Sequence, residues 1–130
     1  KATAGHMYAF RIDATPRIIS AGACLATAFT TTSDQSVKDD VQAVDLSPVF
    51  DAVECKSYLR TDKPDWPRRC GFIAQHVRSA CAAAGVPDTF THDATDGGDP
   101  LLGLDYSRMC VILWSKLKSV EARLAALEST

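Results

Sequence analysis

The chain of 130 residues is long enough for one domain with a modest core. Hydrophobic residues make up 46% and charged residues 23%, which is typical of a folded domain and excludes a disordered one. The formal net charge of -2 gives no electrostatic attraction to nucleic acid or to an anionic membrane, and no apolar run reaches the length of a membrane span. We therefore expect neither nucleic acid nor membrane as a partner.

The five cysteines are odd in number and include no C-x-x-C pair; they are Cys24, Cys55, Cys70, Cys81 and Cys110. Cys70, His76 and Cys81 lie near one another in the sequence, but their spacing fits no common zinc pattern. We interpret the cysteines as free thiols that act as small buried hydrophobic residues in a reducing compartment. We assign no metal, no cofactor and no disulfide.

The N-terminal third predicts little core. Residues 1–7 contain no signal-peptide pattern and resemble a cloning remnant, so they are excluded from fold reasoning. Residues 8–32 are rich in Ala, Thr and β-branched residues, with Pro16 and Gly22 as interruptions. This composition predicts short extended segments, which we expect to be the end of a longer structure that lies upstream.

Two helix signals follow. The first is weak and begins after Asp34, where valines recur at helical spacing: Val37, Val41 and Val44. The second has Ser47 at a plausible N-cap, Pro48 at the first helical position and Asp51 in the first turn. The sequence therefore predicts one helix start near Asp34 and another at Ser47.

The middle of the chain alternates short strands with a helix. Residues 55–62 predict a strand, and residues 63–69 predict a turn-rich connection. Residues 70–85 begin as a short apolar strand and become helical, with Gly85 placed to end the helix. Residues 88–106 predict two short strands around an Asp-Gly-Gly turn.

Residues 107–128 carry the clearest periodic signal. Apolar residues there step by three and four, which is a heptad register. The a positions are Cys110, Leu117 and Leu124, and the d positions are Leu113, Val120 and Leu127. One interpretation is a single amphipathic helix that packs on its own domain, and the other is a seam between identical chains.

The charges that flank this seam favour self-association in a parallel arrangement. Lys116 and Arg123 occupy g positions, and Glu121 and Glu128 occupy e positions. A parallel pairing places each g opposite the e five residues further along the neighbouring chain, which joins opposite charges. An antiparallel pairing would join like charges. The seam is short, so the body of the domain must contribute to any oligomer.

Ser33 and Lys38 permit two interpretations. By local sequence, Ser33 is an N-cap for a helix and Lys38 is a solvated side chain. Alternatively, a neutral lysine acts as general base for a serine nucleophile, as in Ser-Lys hydrolases. Burial would favour the neutral lysine, whereas nearby Asp34, Asp39 and Asp40 would favour the ammonium. Residues five apart lie about 140° apart around a helix, so a dyad requires Ser33 to lie in extended chain.

Three motifs in order resemble the intramolecular chaperone auto-processing domain that ends phage tailspikes, tail fibres, neck appendages and endosialidases and also occurs in the myelin regulatory factor. They are TTSDQSVKDDV, GFIAQHV and LDYSRMCVILWSKLKSVEARLAALE. The family pattern is S-D-x-R-x-K-x-x-I, then G-F-x-A-Q-x-V, then L-D-Y before a long helix. The matching residues are Ser33, Asp34, Lys38, Gly71, Gln75, Asp105 and Tyr106.

The resemblance implies both a fold and a function. The implied fold is a small α+β domain over residues 33–130, with short strands and helices and a long C-terminal helix that forms a parallel trimeric bundle. Such domains trimerise the upstream β-structured stalk of the same polypeptide, here residues 8–32, and then cut themselves off. Ser33 matches the nucleophile and Lys38 the general base, the bond cut is Thr32–Ser33, and no cofactor is needed. The work would be done in the host cytoplasm during virion assembly.

Two departures from the family pattern keep other functions open. Ser36 stands where the family has an arginine, and His76 stands where an acidic residue is common. One alternative is a structural trimeric cap that never cuts. Another is a host-binding tip of a viral fibre, which would use the turn-rich residues 63–69 and 91–100. A peptidase that acts on other chains is disfavoured, because nothing in the sequence suggests a substrate cleft.

Overall fold

The chain forms two compact units. The computed structural model describes residues 10–12, 17–20 and 22–130. The first unit ends at Val41, and the second spans Gln42–Thr130. The predicted remnant at residues 1–7 lies outside the described residues. The domain start predicted at Ser33 stays a prediction, and the segment from Ser33 to Val41 lies in the first unit.

In its described residues, the first unit contains one short hairpin and one helical turn. Strand β1 (Phe10–Ile12) pairs antiparallel with β2 (Ile18–Ser20). From Gly22 to Asp34 the chain has no regular element, and a single 3₁₀ turn follows at Gln35–Val37. The described part of residues 8–32 thus agrees with the predicted short extended segments.

The predicted helix after Asp34 is wrong. The Asp34 carboxylate caps only the one 3₁₀ turn, and Lys38 already has extended dihedral angles. Asp40 then adopts a positive φ of 48°, which a helix does not accommodate. The helical spacing of Val37, Val41 and Val44 was insufficient to form a helix, because their apolar side chains do not pack against another surface. These side chains are 55–78% exposed.

The second unit is a small mixed domain of short strands and helices. Its elements are α1 (Ser47–Ala52), β3 (Lys56–Tyr58), β4 (Arg69–Gly71), α2 (Ala74–Ala84), β5 (Thr91–Asp93), β6 (Leu102–Leu104) and α3 (Cys110–Glu128). Strand β3 pairs antiparallel with β4, and β5 with β6. The predicted fold class is confirmed at this level, including the long C-terminal helix. The trimeric bundle stays a prediction.

A small core joins the three helices and the β5–β6 hairpin. Its buried residues are Leu46, Val49, Val77, Ala80, Cys81, Phe90, Met109 and Ile112. Helix α2 ends as predicted, because Gly85 adopts the left-handed conformation at φ 68° and its N–H reaches back to the last turn. The predicted turn between β5 and β6 also forms, and Gly97 and Gly98 there have positive φ.

The start of α1 differs from its prediction. Ser47 is the first helical residue and Leu46 is the N-cap, so Asp51 lies beyond the first turn. The free N–H groups find other acceptors: Asp45 Oδ1 accepts from Ser47 N at 3.0 Å, and Ser115 Oγ on α3 accepts from Leu46 N at 2.9 Å. The second hydrogen bond connects α3 to the residue that precedes α1.

The cysteines are mostly at the surface. Only Cys81 is buried, and Cys24, Cys55, Cys70 and Cys110 are exposed. The prediction that they act as small buried hydrophobic residues is therefore wrong for four of the five. Burial raises the pKa of the Cys81 thiol, which keeps that side chain in its neutral form within the core.

Among the residues that the structure describes, no helix combines the length and the apolarity needed to cross a membrane. In the same residues, no group of three or more His, Cys, Asp or Glu side chains could hold a metal ion.

Candidate functional site

Ser33 and Lys38 are in direct contact in the first unit. Lys38 Nζ donates a hydrogen bond to Ser33 Oγ at 2.7 Å. Ser33 lies in irregular chain before the 3₁₀ turn at Gln35–Val37, and Lys38 follows that turn directly. The turn reverses the chain, because Lys38 N donates to Gln35 O at 3.1 Å. The two side chains are therefore in contact, which would not be possible if residues 33–38 formed a regular helix.

The carboxylates next to this pair accept hydrogen bonds from neighbouring residues. Asp34 Oδ1 accepts from Ser36 N at 2.8 Å and from Ser36 Oγ at 2.6 Å. These hydrogen bonds, the side-chain one foremost, hold the pKa of Asp34 below its ordinary value. Asp39 Oδ1 accepts from Asp40 N at 2.9 Å. Ser36, which replaces the arginine of the family pattern, thus provides Asp34 with a neutral hydrogen-bond donor.

The contact distance suits proton transfer between the two side chains. Heavy atoms of a base and of the group that it deprotonates must approach to about 2.6–3.2 Å. At 2.7 Å, Ser33 Oγ and Lys38 Nζ meet this requirement. Both residues are exposed, so the hydroxyl is open to water. A deprotonated lysine at this position could accept the hydroxyl proton.

Two of the supporting motif residues meet in the second unit. Tyr106 Oη accepts a hydrogen bond from Phe72 N at 2.9 Å, and the two rings lie 5.8 Å apart. A Cβ added at Gly71 would collide with Tyr106 Oη and would lie 2.9 Å from Tyr58 Oη. Gly71 is therefore required because the tyrosine hydroxyls occupy the space that a larger side chain would fill. The contact of Gly71 and Phe72 with Tyr106 explains why the G-F motif and the distant L-D-Y motif occur in the same chain.

The other supporting residues have separate positions. Asp105 Oδ1 accepts from Arg108 N at 3.1 Å, which caps the turn that leads into α3. Asp105 N in turn donates to Phe90 O at 2.8 Å, next to β5. Gln75 and His76 are both exposed in the first turn of α2. Asp105 thus positions the long helix, and the motif residues Gly71, Gln75, Asp105 and Tyr106 all lie in the second unit.

The predicted seam of α3 faces away from the body of its own chain. Ile112 is buried and Ser115 binds Leu46, and these residues occupy c and f positions on the face opposite a and d. The apolar side chains of the seam are exposed: Leu113 by 59%, Leu117 by 61%, Val120 by 43%, Leu124 by 52% and Leu127 by 73%. Cys110 is exposed as well. A contiguous exposed apolar stripe of this kind is typical of an interaction surface.

Sequence reasoning missed two contacts around these sites. Lys116, expected to pair with a neighbouring chain, lies 2.8 Å from Asp51 Oδ1 of its own chain. Tyr58 was not singled out, although it lies beside Gly71 and its hydrogen bond to Tyr106 raises the pKa of its hydroxyl. The alternating burial of β3, in which Lys56 and Tyr58 are half-buried around an exposed Ser57, is the signal that could have identified it.

The comparison with protein families agrees with the first two motifs. The family model Peptidase_S74, described as chaperone of endosialidase, matches residues 33–86. The match begins at Ser33 and includes Lys38 and Gly71. It confirms the resemblance over this segment and supports a chaperone role, and the family name is consistent with peptidase activity. No curated protein matches the chain.

Proposed function

We propose that residues 33–130 are an intramolecular chaperone that assembles as a parallel homotrimer and then releases itself by cleaving its own chain. The observation that carries the proposal is the 2.7 Å contact between Lys38 Nζ and Ser33 Oγ, in a segment that matches the endosialidase chaperone family. The partners are two further copies of the chain and the stalk upstream of Ser33.

The proposed cleavage is an acyl transfer at the Thr32–Ser33 bond. Lys38, in its neutral form, accepts the hydroxyl proton as Ser33 Oγ attacks the carbonyl carbon of Thr32. The C–N bond of the peptide breaks, and the amine nitrogen of Ser33 takes up a proton as it leaves. The result is an ester between Thr32 and Ser33 Oγ.

Water completes the reaction. It attacks the ester carbonyl, the C–O bond breaks, and Thr32 keeps a carboxylate while Ser33 regains its hydroxyl and carries a free amino group. The stalk then ends at Thr32, and the released chaperone begins at Ser33. No redox step and no cofactor enters this scheme, and hydrogen-bond donors to the developing oxyanion would accelerate it.

The exposed seam of α3 supports the proposed trimer. The side chains at the a and d positions lie on the helix face that the body leaves free, and the flanking charges match only in a parallel register. Apolar residues exposed over several helix turns are stabilised when a second helix removes them from water. A parallel trimer would bring three copies of the stalk to the same level, which is the geometry required to start folding in register.

Mass spectrometry of the chain joined to its stalk tests the cleavage. The parent should yield two fragments that divide between Thr32 and Ser33. Ser33→Ala and Lys38→Ala should each remain full length, with a loss of cleavage of at least about 100-fold. Lys118→Ala and Ser129→Ala, which change an exposed lysine and serine elsewhere, are the controls and should cleave as the parent does.

Three results would contradict parts of the proposal. Cleavage that persists in Lys38→Ala would place the base at another residue. A cut at a different bond would overturn the assignment of Thr32–Ser33. Full-length chains for the parent and for every variant would overturn the protease and favour the second candidate, a trimeric cap that does not cut. The replacement of the family arginine by Ser36 is the observation that favours this cap.

A further inference from the structure

An apolar groove lies on one side of the C-terminal helix. Its volume is about 340 Å³, and it is enclosed by α1 and the first turn of α3. Phe50 of α1 and Val53, which directly follows that helix, line the groove together with Met109, Leu113, Phe72 and Tyr106. Leu113 also belongs to the exposed seam, so the groove opens next to the stripe of a and d residues. A surface of this kind favours an apolar occupant.

A large apolar side chain lies exposed on the other side of the same helix. Trp114 is 70% exposed and occupies an e position, because it follows Cys110 at a by four residues. Successive residues turn by 100°, so e lies about 40° to one side of a. Met109 occupies a g position, one residue before Cys110 and therefore about 100° to the other side, and its helical dihedral angles extend the geometry of α3 back to it. Each chain therefore carries the groove on its g side and Trp114 on its e side.

The charges along the seam fix which residues of two chains face each other. In the parallel register, Arg123 faces Glu128 of the neighbour, so each g residue meets the e residue five positions further on. Lys116 is bound to Asp51 in its own chain and would face the neighbouring Glu121 only by exchanging that partner. The same rule applied one heptad earlier brings Trp114 of the neighbour to the position of Met109, which is only 8% exposed and lines the groove. That indole therefore arrives at the wall of the apolar groove.

We propose that Trp114 of each chain docks into the groove beside Met109 of the next chain. The occupant is thus a second copy of this chain, and the inference rests on the proposed parallel oligomer. A docked indole buries roughly 150–250 Å² of surface. The contact also joins the helix to the body of its neighbour, because Phe50 and Phe72 belong to that body. It supplies the additional surface that a seam of less than three heptads requires.

Tryptophan fluorescence tests whether the indole is removed from water. The experiment uses the full chain with Ser33→Ala to prevent cleavage, and with Trp66→Phe, which leaves Trp114 as the single tryptophan of the two. Emission and acrylamide quenching are followed as the protein concentration is raised, and sedimentation at the same concentrations measures whether the chains associate. We expect the emission to shift to shorter wavelength and quenching to fall as chains associate.

Substitutions test whether the groove is the site. Trp114→Ala should weaken association at least about tenfold, whereas Trp66→Ala, at an exposed tryptophan outside the helix, should leave it unchanged. Phe50→Ala, on the groove wall and 40% exposed, should also weaken association. The double variant should lose less affinity than the product of the two single losses, because each substitution removes one half of the same contact.

The outcomes separate this inference from the oligomer on which it rests. If the parent associates but Trp114 keeps the emission of an exposed indole, or if Trp114→Ala associates as the parent does, the docking is wrong and the oligomer stands. If the effects of Trp114→Ala and Phe50→Ala simply multiply, the groove is not the binding site. If no variant, including the parent, associates at any concentration, both the oligomer and the docking are wrong.

Discussion

Gly71 is required by the tyrosine hydroxyls beside it. We expect Gly71→Ala to lower the free energy of unfolding by about 1–3 kcal/mol, because the new methyl group would overlap Tyr106 Oη and crowd Tyr58 Oη. In a Tyr106→Phe background the same substitution should cost less, since the colliding oxygen is absent. Urea unfolding at fixed protein concentration measures both values. Equal costs in the two backgrounds would show that the collision is relieved in another way.

Asp88 organises the turn between α2 and β5. Its carboxylate accepts hydrogen bonds from Phe90 N and Thr91 N, each at 3.0 Å, and from the hydroxyl of Thr91, and Arg78 Nε lies 3.7 Å away. Burial raises the pKa of Asp88, but these hydrogen bonds outweigh it, so the net pKa lies below the ordinary 3.8. The ionised form is therefore the one that stabilises the fold.

The pH dependence of stability checks this role. Because the pKa of Asp88 is lower in the folded chain, its contribution is present above about pH 3.8 and is lost as the pH falls through the folded value. Asp88→Ala should cost about 1–3 kcal/mol at pH 7, and the difference from the parent should shrink below pH 3.8. Asp99→Ala, in an exposed turn, is the control and should change stability by less than about 0.5 kcal/mol. A difference that is constant with pH would contradict the role of the charge.

Among the helices and strands, the features predicted correctly from the sequence were those that local rules determine. Gly85 ends α2 because glycine adopts the left-handed conformation at little cost, and this rule needs no knowledge of the rest of the fold. The valines after Asp34 led to the wrong prediction of a helix, since apolar residues at helical spacing form a helix only when another surface covers their apolar face. The contact between Ser33 and Lys38 depends on a single 3₁₀ turn, and neither residue spacing nor propensity predicted that turn.

Charges placed in the seam of α3 test that element directly. Leu117→Asp together with Leu124→Asp should abolish association while the helix and the body remain folded, because both side chains are exposed in the single chain. Ala122→Asp with Ala125→Asp adds the same charge to exposed positions outside a and d and should leave association intact. Sedimentation velocity gives the oligomeric state, and circular dichroism checks the helix. An unchanged oligomer in the first variant would refute the seam.

At the level of the whole molecule, the direction in which chains assemble decides whether the proposed chaperone could align three stalks. Arg123 and Glu128 are suited to a test, since both are exposed and neither has a charged residue three or four positions away in the same helix. In a parallel pairing they face each other, whereas in an antiparallel pairing arginine faces arginine and glutamate faces glutamate.

Exchanging these two charges should therefore report the direction of assembly. Arg123→Glu alone and Glu128→Arg alone each create like-charge pairs and should weaken association, by roughly 0.2–1 kcal/mol for each pair. In a parallel pairing the double exchange restores opposite charges and should recover the parent's affinity. In an antiparallel pairing each single exchange only replaces one pair of like charges by another, so the single variants should associate as the parent does. The differences should fall in 1 M salt, because screening is strong there. Single exchanges that leave association unchanged, or a double exchange that remains as weak as the single ones, would contradict the parallel register and with it the proposed alignment of the stalks.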